Sequence, residues 1–140
     1  VKAIPGVTAS VLIGAALLSG CSEGYPTDDE GPHLNYTLSA RDAIQVMAQL
    51  ANKSQSWGSY EFSVNPDCIM TIERQRWFLW RSQSQVDLKT ARFDVRAIDS
   101  TFDLVAWQPS QVKDQVVIED LPRFVSQQGL WLLNYMARFC

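Results

Sequence analysis

The sequence predicts an α+β domain over residues 39–140: a helix, an antiparallel sheet of about five strands, and a second helix packed on that sheet. Three observations carry the prediction. Apolar residues recur at helical spacing at both ends of this region. Between those ends, short runs alternate apolar with polar residues, the period of a half-buried strand. The runs are joined by turn residues with no helical crossover between them, so neighbouring strands should run antiparallel.

The first helix is expected over residues 40–53. Ser39 stands before it as an N-cap, and Asp42 three residues later completes a capping-box spacing. Ile44, Met47, Leu50 and Ala51 give it one apolar face. Tyr60, Phe62 and Val64 then alternate with Glu61 and Ser63, a strand ended by the turn Asn65-Pro66-Asp67. A second strand is expected over residues 68–72, with Cys68, Met70 and Ile72 on one face.

Trp77-Phe78-Leu79-Trp80 follows, bracketed by Arg74, Arg76 and Arg81. As a strand it would send Trp77 and Leu79 to one face and Phe78 and Trp80 to the other. Both faces cannot easily be core in a small sheet with few helices. Two readings stand. The arginines cover the second face by lying along the indoles, or Arg74, Arg76, Trp77, Trp80 and Arg81 form a binding surface, where Trp and Arg are the favoured anchors.

Further along, Phe93, Val95 and Ala97 alternate with Arg92, Asp94 and Arg96, and Asp99-Ser100 reads as a tight turn. Phe102, Leu104 and Ala106 alternate with Asp103, Val105 and Trp107. Gln108-Pro109-Ser110 breaks the pattern, and residues 112–119 resume it around Val116-Val117-Ile118. The closing helix is expected over residues 121–139, with Asp120 as N-cap and Pro122 in the first turn. Leu121, Phe124, Leu132, Tyr135 and Phe139 form its apolar stripe, widened by Val125, Trp131 and Met136, as suits a helix laid across a sheet.

Residues 7–20 are uncharged and rich in Ala, Leu, Ile and Val. This run is shorter than the roughly 20 residues that span a bilayer. It ends in small residues beside Cys21, as a secretory apolar region and cleavage site do. Leu18-Ser19-Gly20-Cys21 resembles the lipobox of bacterial lipoproteins at all four positions. The resemblance covers about the first 22 residues. It implies a signal peptide over residues 1–20, lipid attachment to the Cys21 sulfur, cleavage before that residue and acylation of the new amino terminus. Two or more acyl chains hold a protein durably to a membrane, whereas one does not. Ser22, rather than an aspartate, follows the cysteine, which by the same resemblance favours the outer membrane of the bacterial envelope over the inner one.

Residues 21–38 are then the lipidated cysteine and a tether. The tether is rich in Pro and Gly, carries the acidic run Asp28-Asp29-Glu30 and has no apolar periodicity. That run lacks the alternating ligands and distal Glu of a calcium loop. With Cys21 acylated, Cys68 and Cys140 remain. In an oxidising compartment an even pair suggests a disulfide; free buried thiols or a metal pair are the alternatives, the latter short of ligands.

The function classes that survive are few. Net charge is −3 and no Lys/Arg cluster forms a continuous patch, which argues against nucleic acid as a partner. No Gly-rich phosphate loop or nucleophile elbow is present, and the single histidine, His33, falls in the tether. Glu61, Glu73, Asp94, Asp103 and Glu119 are scattered among strand residues and read as a solvated face. The expectation is a chain that is not an enzyme and takes no cofactor or metal. It would be a protein-binding or assembly module of the envelope, held to the membrane through Cys21. The alternatives are an inhibitor or immunity lipoprotein against an envelope-directed hydrolase, and a small-ligand or carbohydrate binder using the Trp/Arg segment.

Overall fold

The computed structural model describes residues 34–140 except Trp57, Trp77 and Leu79. The lipobox, Cys21, the acidic run and His33 lie outside the described residues, as does Trp77 of the expected binding surface. In chain order the elements are α1 (Ala40–Ala51), β1 (Ser59–Val64), β2 (Ile69–Arg76), β3 (Trp80–Asp87), β4 (Arg92–Ile98), β5 (Thr101–Trp107), β6 (Gln115–Leu121) and α2 (Arg123–Ala137).

The class is α+β, but the expected single sheet of about five strands is replaced by two. Among the described residues, β1-β2-β3 and β4-β5-β6 form separate three-stranded antiparallel meanders. The additional strand is β3. Its stretch Arg81-Ser82-Gln83-Ser84-Gln85 holds no apolar residue and gives no period to read. It is a strand because it pairs with β2 in unbroken register, from Ile69↔Asp87 to Arg76↔Trp80. Of the aromatic segment, Trp80 opens β3, and β2 ends before it at Arg76. The sheets separate after β3, where Leu88 N–H still bonds to Cys68 O but Ala91 N–H turns back to Asp87 O.

α1 begins as its cap predicts, with Ser39 Oγ accepting from Asp42 N–H at 3.1 Å. It buries Ala43, Met47, Leu50 and Ala51. α2 does not begin at an Asp120 cap. Asp120 is the last residue but one of β6, in the left-handed region at φ 55°, and its carboxylate accepts instead from the Thr101 hydroxyl. Pro122 occupies the N-cap position without a side-chain cap. The second expected strand also starts one residue late. Cys68 is left-handed, φ 66°, and closes the turn with its N–H on Asn65 O. Asn65 Oδ1 accepts from Asp67 N–H and Ile69 N–H, which locks that turn.

α2 lies on β4, β5 and α1, and α1 lies on β1. The contact with β5 is close at Gly129, where a Cβ atom would come within 2.4 Å of Leu104 Cδ1. A glycine costs about 1 kcal/mol in a helix interior, and here it lets α2 approach β5. Cys68 and Cys140 are joined, with Cα atoms 5.8 Å apart, so the disulfide ties the chain after α2 to the β1–β2 turn. Residues 34–38, placed by sequence in the tether, lie against α2. The Tyr135 hydroxyl is 2.7 Å from Leu38 O, the Tyr36 ring meets Trp131 edge-on, and the Arg138 guanidinium stands over it.

Candidate functional site

Directly paired residues of an antiparallel sheet share a face. Across β1, β2 and β3 the inner face is built of rows. Val64, Met70 and Val86 form one row, Phe62, Ile72 and Ser84 the next, and Tyr60, Arg74 and Ser82 the third. Arg76 and Trp80 form the last row, beyond the end of the core. The rows run from the buried Met70 and Val86 to the exposed hairpin end, where Phe78 is 98% and Trp80 75% exposed.

This arrangement brings Arg74, Arg76 and Trp80 to one face and sends Arg81, paired with Gln75, to the other. Arg74 lies over the Tyr60 ring with Cζ 5.3 Å from its centroid. Both arginines donate through Nη2 to one oxygen of Glu119 on β6. Arg74 Nη2 also reaches Ser56 Oγ at 3.1 Å, and Glu119 N–H donates to the Tyr60 hydroxyl at 3.3 Å. The hairpin base is thus fixed to the second sheet, and the tip projects from a fixed base.

Electrostatics agree with that geometry. The hydrogen bond from Arg74 is the main influence holding the Glu119 carboxyl below its ordinary range, against burial and with further help from Arg76. Burial acts to lower Arg74, but the hydrogen bond with Glu119 and the fields of Tyr60, Glu119 and Asp120 outweigh it and leave its pKa raised. The pair stays ionised.

Two of the carboxylates expected on a solvated face are not there. Glu119 is the ion-pair partner just described. Asp103 is buried, accepts from Asp120 N–H at 3.0 Å and stands 3.9 Å from Arg96. Nothing in the local pattern gives this away, because β6 is bulged against β5 between Leu104 and Val105 and its faces do not follow simple alternation. Among the described residues, no group of three His, Cys, Asp or Glu side chains could hold a metal ion, and no helix is long and apolar enough to cross a membrane.

Sequence reasoning also missed the outer face of β4 and β5. There Arg92 lies over Trp107, with Cζ 5.8 Å from the ring centroid. Arg96 reaches toward Asp103 and Asp114, and an open groove of about 500 Å³ runs between them. What the hairpin end offers chemically is contact: the exposed Phe78 and Trp80 rings, guanidinium groups near them, and strands paired as far as Arg76↔Trp80. No known family pattern, characterised protein or solved structure matches this chain.

Proposed function

We propose that this chain is a non-enzymatic, lipid-anchored module of the bacterial envelope that docks a protein partner through the tip of its β2–β3 hairpin. The lipobox Leu18-Ser19-Gly20-Cys21 supports acylation at Cys21 and attachment to the outer membrane. The observation that carries the docking role is the exposure of Phe78 and Trp80 at 98% and 75% on a tip whose base is pinned by Arg74, Arg76 and Glu119. Large rigid aromatics are effective anchors because little side-chain freedom is lost when they are covered. A projecting tip also suits the alternative of an inhibitor that plugs the cleft of an envelope-directed hydrolase, and the partner's identity separates the two.

The test is site-specific photo-cross-linking in living cells, with the probe at Phe78 or Trp80 and a control probe at Lys89, an exposed position away from the tip. The expected result is one abundant adduct from the tip probes and none from the control. A structural partner supports assembly and a hydrolase supports inhibition. Equal, diffuse cross-linking from all three positions would remove the docking role.

A further inference from the structure

β3 is an edge strand: among the described residues, β2 is its only strand partner. In an antiparallel ladder alternate residues bond to the neighbouring strand, and those between turn their N–H and C=O groups the other way. Leu88 N–H bonds to Cys68 O, one step beyond the pair Ile69↔Asp87. The even-numbered residues of β3 therefore bond to β2, and Arg81, Gln83, Gln85 and Asp87 turn their backbone groups outward.

Part of that outward edge is filled. Gln108 acts as a relay between β3 and β6 through its side-chain amide. The oxygen accepts from Asp87 N–H at 2.8 Å, and the nitrogen donates to Gln85 O at 3.4 Å and to Gln115 Oε1 at 3.3 Å. The two contacts with β3 are those that one residue of an added strand would make. The relay thus ends the open edge at Gln85. Other edges are met in similar ways. Asp94 Oδ1 accepts from Val95 N–H on β4, and Ser54 Oγ and Gln55 N–H donate to Glu119 O and Asp120 O on β6. Among the described residues, no hydrogen bond reaches the outward groups of Arg81 and Gln83. Both residues are exposed, their backbone groups are about 7 Å apart, and no proline or bulge interrupts them.

A row of free N–H and C=O groups is a template for another strand. The side chains say which strand fits. Arg81 is exposed and makes no ion pair among the described residues, so an acidic residue suits the place opposite it. The neighbours of that residue turn to the other face, where Trp80 is 75% exposed, and apolar side chains suit them. A second copy of β3 fits poorly. Centred on Arg81 or Ser82, such a pairing sets two Arg81 side chains together on one face, and like charges there repel. Centred on Gln83, it needs the Gln85 C=O that Gln108 already holds.

We infer that the open edge of β3, from Trp80 to Ser84, takes an extended segment of the docking partner as a further strand, with an acidic side chain beside Arg81. The inference rests on the docking role proposed above and gives it a mode.

The test titrates the full chain, 15N-labelled and solubilised in detergent, with acetyl-Thr-Val-Glu-Val-Thr-amide. The Arg81 and Gln83 amide protons should shift saturably. Those of Ser82 and Ser84, already bonded to β2, should shift several-fold less. Lys in place of Glu in the peptide should weaken binding at least tenfold. Gln83→Pro removes an outward N–H that the fold does not use, at an edge where proline is tolerated. It should abolish binding while the melting temperature stays near that of the wild type, and Gln83→Ala, which keeps the backbone groups, should bind normally. The same peptide with its three central nitrogens methylated should not bind, which checks the ladder independently of any folding defect in Gln83→Pro.

No saturable shift at Arg81 and Gln83, or equal binding of the methylated peptide, would overturn the inference. Equal binding of the Lys peptide would overturn the acidic side chain. The same shifts on concentrating the protein alone would make a second copy the occupant and overturn the partner strand. In cells, Gln83→Pro should remove the adduct formed by the tip probes. An undiminished adduct would leave docking at the tip and overturn the added strand. If the tip probes fail to cross-link while the glutamyl peptide still pairs with β3, the docking role falls and the strand-accepting edge stands.

Discussion

The two sheets have the same topology and opposite uses. β5, at the centre of the second sheet, buries four consecutive residues, Asp103, Leu104, Val105 and Ala106, so both of its faces are covered. β3, at the edge of the first, exposes its first four residues and buries only Val86 fully. Helix placement also differs. α2 lies along β4 and β5, whereas the main helix contact of the first sheet is α1 against β1. One meander is therefore core along its central strand. The other is core at one end and a projecting hairpin at the other. Uneven cover lets a small domain keep a stable body and still hold aromatic residues in water.

The disulfide is the strongest test of that division, because it fastens the free sheet to the helix of the buried one. In the chain-entropy account, closing a loop over a sequence separation of 72 residues stabilises by about 4.5 kcal/mol. Replacing Cys68 and Cys140 together by Ser should cost that much in denaturant unfolding of the oxidised protein, less any strain relieved. A loss below about 1 kcal/mol would mean that other contacts already fix the helix to the first sheet.

Next in size is the centre of the buried sheet. Leu104 is fully buried and packs under Gly129 of α2. Leu104→Ala should destabilise by about 2–5 kcal/mol, read as a fall in the denaturation midpoint at unchanged slope. The tip should behave oppositely. Phe78→Ala and Trp80→Ala should change stability by no more than about 0.5 kcal/mol while lowering partner affinity by about 2 kcal/mol or more. If either tip variant costs as much stability as Leu104→Ala, the contrast between the sheets is false and the aromatics are core.

The same contrast explains what could be read in the sequence. α1, β1 and β4 were legible because an apolar residue reports the face it occupies, and each of these elements turns one face inward in step with its period; β5 was legible from Phe102, Leu104 and Ala106, although Asp103 and Val105 on its other face are buried too. β3 was not legible, because a strand held by backbone pairing at a sheet edge needs no apolar side chain to exist. Missing it merged two meanders into one sheet and hid that Trp80 is the first residue of β3. The cysteine pairing followed from compartment and parity. The Glu119 pairing did not, because it joins residues 43 and 45 positions apart across two sheets, and a carboxylate in a strand looks the same whether it meets water or an arginine. The Gln108 relay was equally silent: a glutamine after a strand carries no sign that its amide will complete another strand's edge.

The smallest expected effect lies at the seam between the sheets and is confined to acid. Glu119 has its pKa lowered in the folded protein, chiefly by the hydrogen bond from Arg74. The unfolded chain therefore binds a proton at this residue before the folded one does, and stability rises with pH through that interval. The contribution is complete above the ordinary carboxylate range and is lost as pH falls through the folded value of Glu119. Since Arg76 is half-exposed, solvent screens part of the network and the effect should be modest. Glu119→Gln should flatten this portion of the acid limb in a series of melts from neutral pH downward, leaving the remainder unchanged. High salt should weaken the wild-type slope in the same direction. A variant whose acid limb matches the wild type would show that the hairpin base is held by contacts such as that of Arg74 with Tyr60 and Ser56, and that the projecting sheet owes nothing to the charge on its neighbour.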